Sequence, residues 1–300
     1  MRPGFYVIEL GAIIHETYKV ERQLGKGGMG AVYLASHVRL PKQVAIKVLH
    51  AEVARSQEAY LRFKREAEVS SGIGHPNIVE VHDFNRTETG EPYIVMEMLD
   101  GEDLSTLLAR EGALGVDRAL DIARPIASAL GAAHARGVIH RDLKPQNVFL
   151  SHKGGYEVVK VLDFGISKIS GATDVVTKTT SMIGTPAYMS PEQARGRAGQ
   201  ADARSDQFAL GAMVYEMLAG HSAFVQPDDD LWAILQRIVN EDPPPIAGIP
   251  EAVAQVVMKA LHKNRDLRFA DVEQFMDALD VAAGHQPAMR PAPGTVARTT

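Results

Sequence analysis

His140-Arg141-Asp142-Leu143-Lys144-Pro145-Gln146-Asn147 packs a carboxylate, basic groups and amides into eight residues flanked by apolar sequence. A structural turn rarely needs so many different polar groups, so this stretch reads as a site where charge is handled. Downstream, Asp163-Phe164-Gly165 follows the strand-like run Val158-Val159-Lys160-Val161-Leu162. An acid at a strand end beside a glycine turn is well placed to hold a cation.

Working outward, Gly25-Lys26-Gly27-Gly28-Met29-Gly30-Ala31-Val32 matches G-x-G-x-x-G-x-V. Glycines let backbone amides approach phosphate oxygens and permit the tight turn this requires. Dinucleotide-binding folds open a helix at such glycines, whereas strand-like sequence continues here through Val32-Tyr33-Leu34. Taken alone, the motif is as readily a plain hairpin turn. Lys47 closes Val44-Ala45-Ile46-Lys47. An inward strand lysine needs a partner, since an unpaired buried ammonium is costly. Glu66 on the following helical stretch is a candidate. Each of these two residues, taken singly, reads as an ordinary surface charge.

Composition bounds the function classes. The 300 residues are 45% hydrophobic and 23% charged, an ordinary globular balance with material for a sizeable core. A net charge of −5 leaves no broad basic field for nucleic acid. With no cysteine, disulfides, thiolate zinc sites and cysteine nucleophiles are excluded, which fits a reducing compartment. The longest apolar candidate, 119–139, is broken by Asp121, Arg124, His134 and Arg136, so no membrane segment is expected. The first residues lack the pattern of a secretory signal. The eleven histidines show no metal-ligand spacing, and His75 and His140 read as structural.

The patterning divides the chain. A lead-in over 1–17 precedes β-like sequence from Tyr18 to Val48, a helix over 56–71, a break at His75-Pro76-Asn77, and further strand sequence to Met98. After Gly101 helical periodicity dominates, at 104–110, 116–136, 205–219, 230–239, 251–262 and 270–282. Short strands are expected at Val138-Ile139 and 158–162. Trp232, Leu231, Ile234 and Leu235 form an apolar helical face, read as core or a modest docking groove. Asp228-Asp229-Asp230 are expected to cap that helix. The tail over 284–300, with Pro287, Pro291 and Pro293, reads as a flexible linker.

Together these segments, in this order, resemble the eukaryotic-type serine/threonine protein kinase family, and bacterial members most closely. The resemblance implies an α+β bilobal fold: a kinase domain over 18–283, with a β-rich N-lobe at 18–96, a hinge at 97–101 and a helical C-lobe at 102–283. It implies ATP and Mg²⁺ (or Mn²⁺) as cofactors and protein Ser/Thr hydroxyls as substrate. In the family such residues cover the phosphates, and here that role falls to Gly25, Lys26, Gly27, Gly28, Met29 and Gly30. Leu24, Val32, Ala45, Met96, Glu97, Met98, Leu99 and Phe149 would line the nucleotide, with Met96 as gatekeeper and Asp103 near the ribose. Lys47, steadied by Glu66, would hold the phosphates. Asp163 and Asn147 would bind metal through hard oxygens. Asp142 would take or orient the substrate proton, and Lys144 would neutralise charge on the transferring group.

The form Asp142-Leu143-Lys144-Pro145-Gln146-Asn147 is that of serine/threonine enzymes. Thr185, in Gly184-Thr185-Pro186-Ala187-Tyr188-Met189-Ser190-Pro191-Glu192, resembles the threonine bridging Asp142 and Lys144 at a peptide shelf. Ser190 stands where the family usually has alanine. Structural roles follow by resemblance: Glu192 pairs with Arg268, Asp206 braces the catalytic loop, and Arg141 grips a phosphate on the segment before Thr185. Thr177 and Thr179 are the expected autophosphorylation sites, against the bland reading of a solvated hydroxyl-rich loop; a homodimer would serve trans-autophosphorylation. The expected location is cytoplasmic, as it stands or as part of a longer membrane-anchored chain. Two rivals share the fold. A pseudokinase scaffold would usually lack Lys47, Asp142 or Asp163, and a small-molecule phosphotransferase would lack the peptide shelf.

Overall fold

A computed structural model describes residues 8–28, 30–164, 186–196 and 201–286. Two strand-and-helix bodies meet at the segment between Glu97 and Gly101. In the first, β1 (Ile13–Ile14), β2 (Tyr18–Lys26), β3 (Gly30–His37), β4 (Gln43–Leu49), β5 (Val81–Arg86) and β6 (Pro92–Glu97) form an antiparallel sheet in the order β1-β2-β3-β4-β6-β5. Part of the N-terminal lead-in is thus built into the sheet, with Ile14 buried. Alternation sorts each strand into two faces. Tyr33, Ala35, Val44, Ile46, Val48, Tyr93 and Val95 pack on one. On the other, Leu49 and Ile94 receive Phe63 and Ala67 of α2 (Gln57–Ile73), which follows the short α1 (Ala51–Ala54). Ser56 caps α2 by accepting from Ala59 N–H, and left-handed Gly74 ends it.

The crossing between the two bodies is tight. Gly101 has φ +143°, and a Cβ there would lie 2.0 Å from the Leu150 carbonyl oxygen. No side chain fits, so glycine is required where β7 (Gly101–Asp103) pairs with β8 (Val148–Lys153). Strand β9 (Tyr156–Val161) completes this small sheet.

Below it, α4 (Val116–His134), α6 (Ala203–Ala219), α8 (Glu251–Ala260) and α9 (Val272–Ala282) share one apolar core. Helix α6 is buried almost all round, as a helix at the centre of a bundle must be. Helices α3 (Leu104–Glu111), α5 (Pro191–Ala194) and α7 (Leu231–Asn240) lie around this centre. Among the described residues no helix is long and apolar enough to cross a membrane.

Three local expectations are corrected. Val138-Ile139 is not a strand: Val138 N–H closes the end of α4 on Ala133 O, and the short apolar run has no strand partner among the described residues. The strands that do flank the polar loop include β8, which begins directly after it at Val148-Phe149-Leu150-Ser151. Trp232 is not core; its side chain is 65% exposed, while Ile234 and Ile238 carry the buried face of α7. Asp230 does cap α7 by accepting from Ala233 N–H, and Asp229 pairs with Arg237 instead.

The Glu192–Arg268 pair is buried and bidentate, at 2.9 and 3.0 Å, and Ser205 donates a further bond to the same carboxylate. It ties α5 to the segment before α9. Burial alone would raise the Glu192 carboxyl, but the Arg268 guanidinium outweighs it and holds the group down at about 2. Replacing Arg268 with alanine leaves a buried carboxylate unpaired, so Arg268→Ala is expected to cost about 3–5 kcal/mol at pH 7 in urea unfolding. A carboxyl held low stabilises above its ordinary value of 4.5, and that contribution disappears as pH falls towards about 2. The gap between wild type and Arg268→Ala should therefore narrow below about pH 4.5; a gap that stays constant down to pH 3 would contradict this account.

Candidate active site

The deep face of the first sheet supplies one wall. Register pairs Val32 with Lys47 and Ala45 with Met96, and Ala45 and Lys47 are two apart, so these four side chains share a face. Leu24, Gly25 and Lys26 lie on β2 above them, and Gly27 and Gly28 form the turn into β3. Met29 lies outside the described residues. Gly30 starts β3 where a Cβ would meet Val48 O at 2.1 Å, so close strand packing demands glycine there. Gly25 and Gly27 are different. Neither has positive φ, and an added Cβ would meet nothing within 4 Å at Gly25 and only Gly30 O, at 3.9 Å, at Gly27. Nothing among the described residues requires their glycines, whereas a phosphate chain lying under the turn would.

Lys47 joins three elements. Its Nζ lies 2.7 Å from Glu66 Oε1 on α2 and 2.7 Å from Asp163 Oδ1 beyond β9. Two carboxylates thus share one ammonium in a partly buried place. Burial works against the Lys47 charge, but Asp163 and Glu66 outweigh it and hold the ammonium above its ordinary range. Burial also raises both acids. For Asp163 the Lys47 charge reverses this and the carboxyl stays below its ordinary value. Glu66, which also feels the like charge of Asp163, is pushed up. The shared ammonium therefore serves Asp163 first.

The polar loop forms the opposite wall. Asp206, buried at the start of α6, accepts the backbone N–H groups of His140 and Arg141, each at 2.8 Å. Arg141 is held at φ +66°, a left-handed conformation costly for a non-glycine residue. Lys144 Nζ donates to Asp142 Oδ2 at 2.8 Å. Asn147 Nδ2 donates to the Asp142 carbonyl at 2.8 Å, which leaves the amide oxygen as the free acceptor. Leu162 N–H donates to Asn147 O, and the buried His140 ring bonds Leu162 O at 3.0 Å and packs on the fully buried Phe164. The loop and the strand end carrying Asp163 are thus one hydrogen-bonded unit. Gly165, Thr173, Thr177, Thr179, Thr180, Ser181 and Thr185 lie outside the described residues.

Between the walls, Glu97, Met98 and Leu99 form the connection. Glu97 turns its carboxylate to Lys160 and Glu80 N–H, leaving backbone for a base to meet. Phe149 faces Asp103 across β7–β8. Asp103 is also the N-cap of α3, accepting from Thr106 N–H at 3.0 Å and from the Ser105 and Thr106 hydroxyls. An aspartate directly before the helical run from Leu104 is the usual signal for such a cap. Two positioning residues escape sequence reasoning. His134 donates from Nε2 to Asp206 at 2.8 Å, and Gln193 bonds the Arg141 carbonyl. Ser190-x-x-Gln193 carries the spacing of a capping box, which announces a helix start but not a partner in a distant loop.

The donor set suits a hard divalent cation. Asp163 and the amide oxygen of Asn147 offer hard oxygen donors, and magnesium commonly takes one or two such groups and completes its shell with phosphate and water. Among the described residues no cluster of three or more His, Asp or Glu is arranged to hold a metal by itself.

The family model for the protein kinase domain matches residues 18–279. The serine/threonine-protein kinase Pkn1 of Myxococcus xanthus is 42% identical over 271 residues, 89% of this chain and 38% of that protein. The serine/threonine-protein kinase PknB of Mycobacterium leprae is 40% identical over 282 residues, 91% of this chain and 44% of its own length. This chain thus spans less than half the length of these two curated relatives. The crystal structure of the Mycobacterium tuberculosis PknI kinase domain superposes with a TM-score of 0.68 at 30% identity, covering 92% of this chain and all of that one.

The charge balance at Lys47 gives a sign. In Lys47→Met, Glu66 and Asp163 lose their common counter-charge, so both acquire raised values and are tolerated only when protonated. Their contribution is then retained at low pH and lost as pH rises. Thermal unfolding should show the variant close to wild type near pH 5 and about 1–3 kcal/mol less stable at pH 8. A deficit that is greatest at pH 5 would reverse the assignment.

Proposed function

The chain belongs to the protein kinase domain family, and from that premise we propose that it transfers the γ-phosphoryl group of ATP to serine or threonine hydroxyls of proteins. The observation that carries this reading is the junction of Lys47, Glu66 and Asp163 beside the loop holding Asp142, Lys144 and Asn147. Phosphoryl transfer leaves a protein little covalent chemistry to do, so positioning and charge balance are what a site must supply.

In this mechanism the 25–30 turn covers the phosphates with backbone N–H groups, and Lys47 steadies the non-transferred ones. Val32, Ala45, Met96, Met98, Leu99 and Phe149 enclose the base, and Asp103 reaches the ribose from its capping position. Asp163 and Asn147 would hold Mg²⁺, or Mn²⁺, whose charge offsets that of the phosphates. Asp142 orients the substrate hydroxyl and accepts its proton. Lys144, now 2.8 Å from Asp142, pairs with that carboxylate and faces the charge that develops on the group in transit. Thr185 completes the shelf on which the substrate peptide lies. Arg141, whose buried Nε has no hydrogen-bond partner among the described residues, is available to a phosphate on Thr177 or Thr179. The domain is read as 18–283, on the cytoplasmic side where ATP is present.

Asp142→Asn is expected to lower kcat about 10²- to 10⁴-fold with the ATP KM little changed, read by transfer of radiolabel from ATP to a generic basic protein. Near-full turnover in that variant would rule out Asp142 as the proton acceptor. If wild type transfers no label at any Mg²⁺ or Mn²⁺ concentration, the scaffold reading replaces the catalytic one. After incubation with ATP, phosphopeptide mass spectrometry should find phosphate on Thr177 or Thr179; unmodified peptides from that segment would end the autophosphorylation proposal.

A further inference from the structure

The residue before the catalytic aspartate is held in a strained conformation from both sides. Arg141 has φ +66°, and its peptide groups face two different elements. Its N–H is taken by Asp206 Oδ1 of α6 at 2.8 Å, and its carbonyl oxygen accepts from Gln193 Nε2 of α5, also at 2.8 Å. That carbonyl belongs to the peptide bond whose nitrogen is Asp142's, so its orientation sets where the Asp142 backbone begins. A left-handed non-glycine residue persists only where its surroundings over-determine it. Asp206 alone fixes one end of Arg141; Gln193 fixes the other.

Gln193 is itself anchored. Its Oε1 accepts from Ser190 N–H and Ser190 Oγ, both at 3.0 Å, while its own N–H closes the capping box on Ser190 Oγ. The side-chain amide therefore uses its oxygen to cap α5 and its nitrogen to clamp the loop. A planar amide, with acceptor and donor on one rigid end, does both.

We propose that Gln193 is a positioning residue for the phosphoryl-transfer step, holding the Arg141–Asp142 peptide in its active geometry and joining the 186–196 segment to the catalytic loop. The inference rests on the kinase reading above. Gln193 acts through the Arg141 carbonyl and need not touch ATP or the substrate.

Gln193→Glu separates the two jobs. Glutamate keeps the capping acceptor, since it is the usual capping-box partner of serine. The ionised carboxylate cannot donate to the Arg141 carbonyl and sets a negative oxygen against it. A protonated carboxyl restores one donor. The full chain would be assayed for radiolabel transfer from Mg·ATP to a generic basic protein, with variant and wild type at matched phosphorylation state. At pH 8 the expected result is a kcat about 10- to 100-fold below wild type, with ATP KM within about twofold and a single cooperative unfolding transition retained. Wild-type kcat at pH 8, or a loss that falls on the ATP KM instead of on kcat, overturns the proposal. Should Gln193→Glu fail to fold, Gln193→Met removes the donor without adding charge, and a Met variant with wild-type kcat overturns it equally. Inactivity of wild type itself would instead strike the kinase reading, so the two failures are distinguishable.

Discussion

One buried carboxylate organises the centre of this molecule. Asp206 sits in the first turn of a helix that is buried almost all round, and it accepts two successive backbone N–H groups from the loop above and a third bond from His134. A buried carboxylate without such donors would be prohibitively costly, and a loop with two unpaired buried N–H groups nearly as much. Each therefore stabilises the other. Through that contact the apolar core of α4, α6, α8 and α9 fixes the position of residues 140–147. The loop in turn holds the strand end at Leu162 through Asn147 and His140, so Asp163 is placed by the same core.

The first body reaches this unit through a charge as well as through Ile73 and Ile78, which pack into the lower core. Lys47 sits at the inner face of β4 and contributes the ammonium that Glu66 and Asp163 share. Two carboxyl groups share one ammonium here, and burial together with the neighbouring Asp163 charge pushes Glu66 up. Such a site favours added positive charge, which matches the need of a nucleotide site that must gather a divalent cation and then balance several phosphate oxygens. It also couples α2 to the cleft: Glu66 is useful only while the helix packs through Phe63 and Ala67 onto Leu49 and Ile94.

Strain at Arg141 is the local counterpart of this arrangement. Two side chains from separate elements, Asp206 and Gln193, hold the peptide groups on either side of Arg141 and so keep it in a conformation it would not adopt alone. The pair Glu192–Arg268 lies next to Gln193 in the chain and anchors α5 against the body, so the clamp has a rigid base.

The local chemistry was determined by the sequence itself. Alternating β-branched residues placed Lys47 on a strand, glycine spacing marked the phosphate turn, and the cluster from His140 to Asn147 declared a charged loop. These are short-range properties of backbone dihedrals and side-chain type. The kinase resemblance then pointed to Glu192 with Arg268 and to Asp206 beneath the loop, and in the fold these contacts close at 2.9 and 2.8 Å. What only the tertiary structure decided is who meets whom across the chain when no motif announces it. Gln193 finding the carbonyl of Arg141, His134 finding Asp206, Trp232 facing solvent and Val138-Ile139 lying outside any described strand all depend on helix packing. A side chain's partner in a distant loop is set by the three-dimensional path between them, and no periodicity in a linear sequence encodes that path.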